Sequence, residues 1–341
     1  MVILLELLIR MTITTICAAL FTYIIMRGFN RYQKNVKAWH RIPKPVFGGL
    51  AIYFAFWINY GLALPELRVT SMQMGIFLAS SIIIITGVID DWFDIKPWAK
   101  SLGIILAAHI VYQIGDISFA TNIFSFLTSD NVSFGSYLLT IIWIYFVTNA
   151  INLLDGIDGL ASSVSIVSLI AMVLITVNFS LNLQIDFVMM LLFLIAAIMG
   201  FWVFNWPPAK IMLGDTGALF IGFMYASLTV SNLKNATIYS FIFPVMLYAV
   251  PLFDTLFAFA RRLVQGSPVT QGDQDHVHHR LLRKGWSERQ INGLMVLLTS
   301  IFSLLAYFLQ AFPQYRIEVL LMAGLFIFLL IIFMIRIGKT E

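Results

Sequence analysis

Asn149-Ala150-Ile151-Asn152-Leu153-Leu154-Asp155-Gly156-Ile157-Asp158-Gly159 follows one apolar run, Tyr137 to Val147, and precedes another, Leu160 to Val177. Two amides and two carboxylates therefore stand where one membrane helix leaves the hydrocarbon and the next enters it. A charged side chain near mid-bilayer costs roughly 2.5–3.5 kcal/mol on insertion scales, so polar clusters at such places usually have a function. Gly156 and Gly159 let the backbone turn tightly and come close to a ligand. An ordinary polar turn between helices is the plain alternative. The density of acceptors in N-x2-N-x2-D-G-x-D-G argues against it.

The rest of the chain fits this setting. Of its 341 residues 60% are hydrophobic and 11% charged, against about 45–50% and 25% in soluble domains, which makes it a polytopic membrane protein. The first apolar run, Val2 to Met26, carries Glu6 and Arg10 and leads into a basic loop. It reads as a membrane helix and not as a cleavable signal. The one cysteine, Cys17, lies inside that run, so a disulfide framework is excluded and redox chemistry is not expected.

The apolar periodicity predicts an all-α fold, a single domain over 1–341 with eleven membrane helices. These lie near 2–26, 47–64, 71–89, 98–114, 136–152, 160–178, 185–205, 212–231, 237–258, 291–310 and 317–336. The loops are short except 27–46, 115–135 and 259–290. Of the 21 Lys and Arg residues, 17 fall in the odd-numbered loops and the C-terminus, and three (Arg68, Lys234, Arg316) in the even-numbered loops. The positive-inside rule then puts the N-terminus outside and the odd loops in the cytoplasm: 27–46, 90–97, 153–159, 206–211 and 259–290.

The same loops hold the chemistry. Asp90-Asp91-Trp92-Phe93-Asp94 lies in the third, and Pro207-Pro208-Ala209-Lys210 leads to Leu213-Gly214-Asp215-Thr216-Gly217 at the seventh. Asp275-His276-Val277-His278-His279-Arg280 is in the ninth. Aspartates of this kind form the hard-oxygen cage that Mg²⁺ favours when it is shared with substrate phosphates. Gathered together they would repel one another without a cation or a proton. The basic, histidine-rich ninth loop supplies groups that can neutralise a pyrophosphate. An acidic metal cage beside a cationic phosphate site is the pattern of phosphoryl transfer. Zinc held by His276, His278 and His279 is the weaker reading, because no cysteine is near. His109, alone on an apolar helix, reads as a packing residue.

Together the four motifs resemble the polyprenyl-phosphate N-acetylhexosamine-1-phosphate transferases of glycosyltransferase family 4. Within that group the chain is similar to the bacterial undecaprenyl-phosphate GlcNAc-1-phosphate transferases that begin teichoic acid, O-antigen or common-antigen synthesis. The resemblance implies transfer of GlcNAc-1-phosphate from UDP-GlcNAc to undecaprenyl phosphate with release of UMP at the plasma membrane. It implies Mg²⁺ as cofactor, with Mn²⁺ able to substitute, and the bilayer as a partner. No nucleic-acid partner is expected, and a homodimer is compatible with the sequence.

The resemblance also implies residue roles. Asp215, helped by Asn152, would be the metal ligand; Asp90, Asp91 and Asp155 would be catalytic, the first two positioning or deprotonating the lipid phosphate. Asp158 would read the uracil, and Asn149 would bind substrate. His276, His278, His279 and Arg280 would hold the diphosphate and sugar. Arg41 and Lys44, with His40, would border the nucleotide pocket. Met212 stands where some relatives carry an aromatic residue that stacks on uracil, and a thioether packs on a ring less specifically.

Elementary chemistry agrees with this reading. A phosphate monoester with its second pKa near 6 is mostly a dianion at neutral pH, so it needs charge cancellation and in-line placement more than a base. Direct attack at the sugar-bearing phosphate is therefore expected, with a covalent aspartyl-phosphate route as the alternative. Three rivals remain. A Mg²⁺-dependent prenyltransferase leaves the ninth-loop histidines without a reason. A transporter needs polar groups at mid-bilayer in two related halves. An intramembrane aspartyl protease wants G-x-G-D, and Met212 occupies the first glycine position.

Overall fold

The structure is a computed structural model and describes residues 2–35, 44–63, 69–119, 129–179, 185–232, 238–265 and 276–338. Among these residues the chain is all helix, without strands. In order come α1 (Val2–Asn35), α2 (Gly48–Leu62), α3 (Ser71–Phe93), α4 (Pro97–Gln113) and α5 (Ser129–Leu154). Then follow α6 (Leu160–Phe179), α7 (Ile185–Asn205), α8 (Gly214–Asn232), α9 (Ile238–Leu247) and α10 (Ala249–Gln265). A short α11 (Val277–Arg283) precedes α12 (Glu288–Ala311), and a 3-10 turn at Pro313–Tyr315 leads into α13 (Arg316–Gly338). Seven of the described helices, α1, α3, α5, α6, α7, α12 and α13, are long and apolar enough to cross a bilayer. The protein is an all-α, multi-pass membrane protein.

Local sequence explains where helices begin. Thr70 and Gln73 form a reciprocal capping box at α3, and Ser287 and Gln290 form another at α12. Pro97 occupies the first turn of α4, where its missing N–H would have had no partner anyway.

At the centre is α8, whose residues from Thr216 to Val230 are all buried. It packs on α5, α3 and α2. Small side chains make that possible, because between membrane helices close backbone approach replaces the hydrophobic drive. A Cβ on Gly49 of α2 would lie 2.2 Å from the Gly217 nitrogen of α8. Glycine is the residue that lets those two backbones touch.

Two expectations are corrected. The run 237–258, expected as one continuous helix, is interrupted at Tyr248 into α9 and α10, with Pro244 inside the first piece. Pro251, just past the break, has no N–H to give to the Leu247 carbonyl. The Ser168 hydroxyl of α6 donates to that carbonyl instead, at 2.7 Å. The stretch 259–290, expected to be loop throughout, carries the end of α10 and the whole of α11. Arg41 and His40 lie outside the described residues.

Candidate active site

The end of α3, the end of α5, the start of α8 and the short α11 carry the four motifs and meet at one end of the bundle. Asp90, 6% exposed, accepts from the Ile95 N–H at 3.1 Å through Oδ1. Its Oδ2 stands 2.5 Å from Nζ of Lys100, in the first turns of α4. The same Nζ reaches Oδ2 of Asp215 at 2.6 Å, and the other Asp215 oxygen accepts the Asn152 amide. Two carboxylates from different helices thus converge on one cation, with Asn152 beside them.

Asp91 points elsewhere. Oδ1 accepts the Asp215 N–H at 2.8 Å, and Oδ2 accepts the N–H and hydroxyl of Thr216 at 3.0 and 2.5 Å. A carboxylate at the first turn of α8 satisfies amides that lack intrahelical partners and complements the helix dipole. Asp91 therefore orients Asp215. Asp94 adopts a left-handed backbone, φ 49°, and its side chain is exposed.

The Asp155–Gly159 turn joins the other loops. Oδ2 of Asp158 accepts from Lys44 Nζ at 2.7 Å and from the Ala209 N–H at 2.9 Å, just after the cis Pro207–Pro208 bond. Its carbonyl accepts from Asn292 of α12 at 2.9 Å, and Arg289 donates to the Pro207 carbonyl at 3.0 Å. Burial, with the charges of Asp215, Asp91 and Asp158 added, pushes the Asp155 carboxyl well above the usual range. Met212 is held by its backbone, donating to the Pro45 carbonyl at 2.7 Å, and its side chain is 37% exposed. Asn149 donates its amide to the Tyr145 carbonyl at 2.8 Å, within its own helix.

α11 closes over this turn. The His278 ring lies so close to Gly156 that a Cβ there would stand 2.1 Å from Nε2. The His276 and His278 rings are parallel with centroids 5.7 Å apart, and His279 is 4.2 Å from His278. Burial and then the neighbouring His279 push the His278 imidazole down to about 3, against the opposing pull of Asp254. His278 is therefore neutral at neutral pH and can offer a hydrogen bond but not a charge. The Arg280 guanidinium, 8% exposed, lies 6.0 Å over the Phe257 ring.

A profile described as Glycosyl transferase family 4 matches residues 73–232. The probable undecaprenyl-phosphate N-acetylglucosaminyl 1-phosphate transferase of Bacillus subtilis (strain 168) is 32% identical over 309 residues, 89% of this chain and 82% of that protein. The chain belongs to glycosyl transferase family 4, in the superfamily of polyprenyl-phosphate hexosamine-1-phosphate transferases. Two further members match at lower identity. The decaprenyl-phosphate N-acetylglucosaminephosphotransferase of Mycolicibacterium smegmatis is 31% identical over 74% of this chain and 68% of its own. The undecaprenyl-phosphate alpha-N-acetylglucosaminyl 1-phosphate transferase of Escherichia coli (strain K12) is 25% identical over 87% and 82%.

In this family 4 transferase the structure brings Asp90, Asp215, Asn152, Asp155, Asp158 and Lys44 to one end of the bundle, with His278 packed on Gly156. Sequence reasoning gave no role at the site to Lys100, Asp254, Arg289 or Asn292. Lys100 carried a signal: a cation in the first turns of an apolar span is expensive unless paired. Asp254 carried the same signal, a carboxylate inside an apolar run. Arg289 and Asn292 carried none, since both look like ordinary polar residues at a helix start.

Proposed function

We propose that this chain transfers GlcNAc-1-phosphate from UDP-GlcNAc to undecaprenyl phosphate at the cytoplasmic face of the plasma membrane. UMP is released, and undecaprenyl-pyrophosphoryl-GlcNAc begins a cell-envelope glycopolymer. The observation that carries the reading is the convergence of Asp90 and Asp215 on the single cation of Lys100, at the same end of the bundle as the His276–Arg280 helix. Family membership and the names of the relatives support it.

A divalent metal fits these residues. Among the described residues no three His, Cys, Asp or Glu side chains are arranged to hold one unaided. Two carboxylate oxygens already share one positive charge, and the Asn152 amide can turn its oxygen toward the same point. Asp90, Asp215 and Asn152 would hold Mg²⁺ together with substrate oxygens, and the ion would supply charge cancellation at the diphosphate.

The chain's own residues do the rest. Asp91 fixes the first turn of α8 and with it the direction of Asp215. Lys100, next to both carboxylates, is within reach of a phosphate oxygen brought to them. Asp158 and Lys44 hold the turn under the nucleotide end, and Asp155 is a carboxyl able to keep or take a proton near the reacting phosphates. An oxygen of the acceptor phosphate bonds to the sugar-bearing phosphorus while the bond from that phosphorus to the bridging oxygen breaks. The bridging oxygen leaves with UMP. The acceptor dianion is nucleophilic as it stands, so positioning and charge cancellation carry the step.

The test is UMP release from UDP-GlcNAc and undecaprenyl phosphate by the purified protein, with and without EDTA. Asp215→Asn abolishes turnover while leaving the protein folded in detergent. Near-normal activity in that variant removes Asp215 from the site. Failure of the wild type with UDP-GlcNAc but turnover with another nucleotide sugar changes the donor.

A further inference from the structure

Asp254, in the middle of α10, is 7% exposed and directs both carboxylate oxygens at the start of α11. Oδ2 meets Nδ1 of His276 at 2.9 Å, and Oδ1 accepts the Val277 N–H at 3.1 Å. His276 itself is 2% exposed, and its other ring nitrogen, Nε2, has no hydrogen-bond partner among the described residues. A buried ring nitrogen without a partner costs free energy and persists where a ligand completes it.

We propose that Asp254 is a positioning residue for the transfer: it keeps the His276 proton on Nδ1 and so presents Nε2 to an oxygen of the donor's diphosphate. The inference rests on the transferase reading above. A carboxylate can only accept, so the ring atom facing it must be N–H. In the neutral ring the lone pair is then on Nε2, aimed away from Asp254. When a phosphate oxygen arrives, a proton from solvent on Nε2 turns that atom into a donor, and Asp254 carries the balancing charge. The His276 ring meets Asp254 of α10 through Nδ1 and lies parallel to the His278 ring of α11. Of these, Asp254 is the one anion.

Asp254→Asn separates this role from mere capping. The amide oxygen can still accept the Val277 N–H, and side-chain volume is unchanged. The neutral amide removes the negative charge that a ring donating from Nε2 needs beside it, and its N–H₂ cannot accept from Nδ1–H. We expect catalytic efficiency and UDP affinity to fall on the order of ten- to a hundredfold, with the melting temperature nearly unchanged. Asp254→Glu should recover part of the loss. In a His276→Ala background Asp254→Asn should cost nothing further, because the interaction it serves is already gone.

Wild-type efficiency and UDP affinity in Asp254→Asn overturn the proposal. So does an equal loss in the His276→Ala background, which would mark Asp254 as structural only. Histidine ¹⁵N NMR on the full-length protein judges the inference without turnover. A protonated Nδ1 on His276 that is lost in Asp254→Asn supports it, and a wild-type ring protonated on Nε2 alone overturns it. If the wild type releases no UMP while this NMR pattern holds, the transferase reading fails and the Asp254–His276 arrangement stands.

Discussion

Lys100 is the residue that most changes how the acidic cluster is understood. Its side chain is 18% exposed and neutralises two aspartates whose helices would otherwise repel each other. Lys100→Met removes the cation and leaves two carboxylates facing each other, so the pair must either repel or take up a proton. Because Asp215 is 32% exposed, solvent screens part of the loss, and about 1–3 kcal/mol of destabilisation is expected in EDTA. Added Mg²⁺ should restore much of the lost melting temperature. A variant as stable in EDTA as the wild type would show that the cluster does not need Lys100.

His278 gives a second test at this scale. An unfolded histidine titrates near 6.5, whereas the buried ring is held down to about 3. Above pH 6.5 both states are neutral and the group contributes no pH dependence. Below it the unfolded chain takes a proton that the folded chain refuses, so stability is lost as pH falls toward 3. Between pH 6.5 and 5 that amounts to about 2 kcal/mol. His278→Gln should therefore lose less stability than the wild type when the pH drops from 7 to 5. Parallel curves for the two proteins would sink the assignment.

Among the elements, α11 and the Asp155–Gly159 turn depend on each other through one contact. Gly156→Ala would drive a methyl group to 2.1 Å from the His278 ring, so the ring must shift. Overpacking of this kind costs typically about 1–3 kcal/mol, and the displaced histidine should lower catalytic efficiency by about tenfold or more. Truncating the ring by His278→Ala in the same chain removes the clash. The double variant should thus regain the melting temperature of His278→Ala alone. A single Gly156→Ala variant with unchanged stability and activity would mean that the turn and α11 do not pack in this way.

For the whole molecule the open quantity is orientation. The charge count puts the Lys284 side in the cytoplasm and the Gln314 turn outside. Both residues are exposed, and the chain has one cysteine to remove, Cys17. After Cys17→Ser, an impermeant maleimide should label Gln314→Cys in intact cells and Lys284→Cys only after permeabilisation. The reverse pattern would put the acidic cluster on the side without nucleotide sugars.

The membrane class, the all-helical fold, the places of seven long apolar helices and the four motifs were legible in the sequence. Each is a local property: an apolar run of the right length, a count of charges, or a cluster of polar residues within a few positions. The break at Tyr248 was half legible, through Pro244 and Pro251, but its stabilisation by Ser168 of another helix was not. Only the tertiary structure decided which acidic residues act together. Asp90 and Asp91 are neighbours, yet one turns to Lys100 and the other to the first turn of α8, because successive side chains on a helix face about 100° apart. Lys100 and Asp215 are 115 positions apart, and their meeting depends on how closely α3, α4 and α8 pack. Pairing over that distance is set by small residues at helix crossings, and no local pattern encodes it.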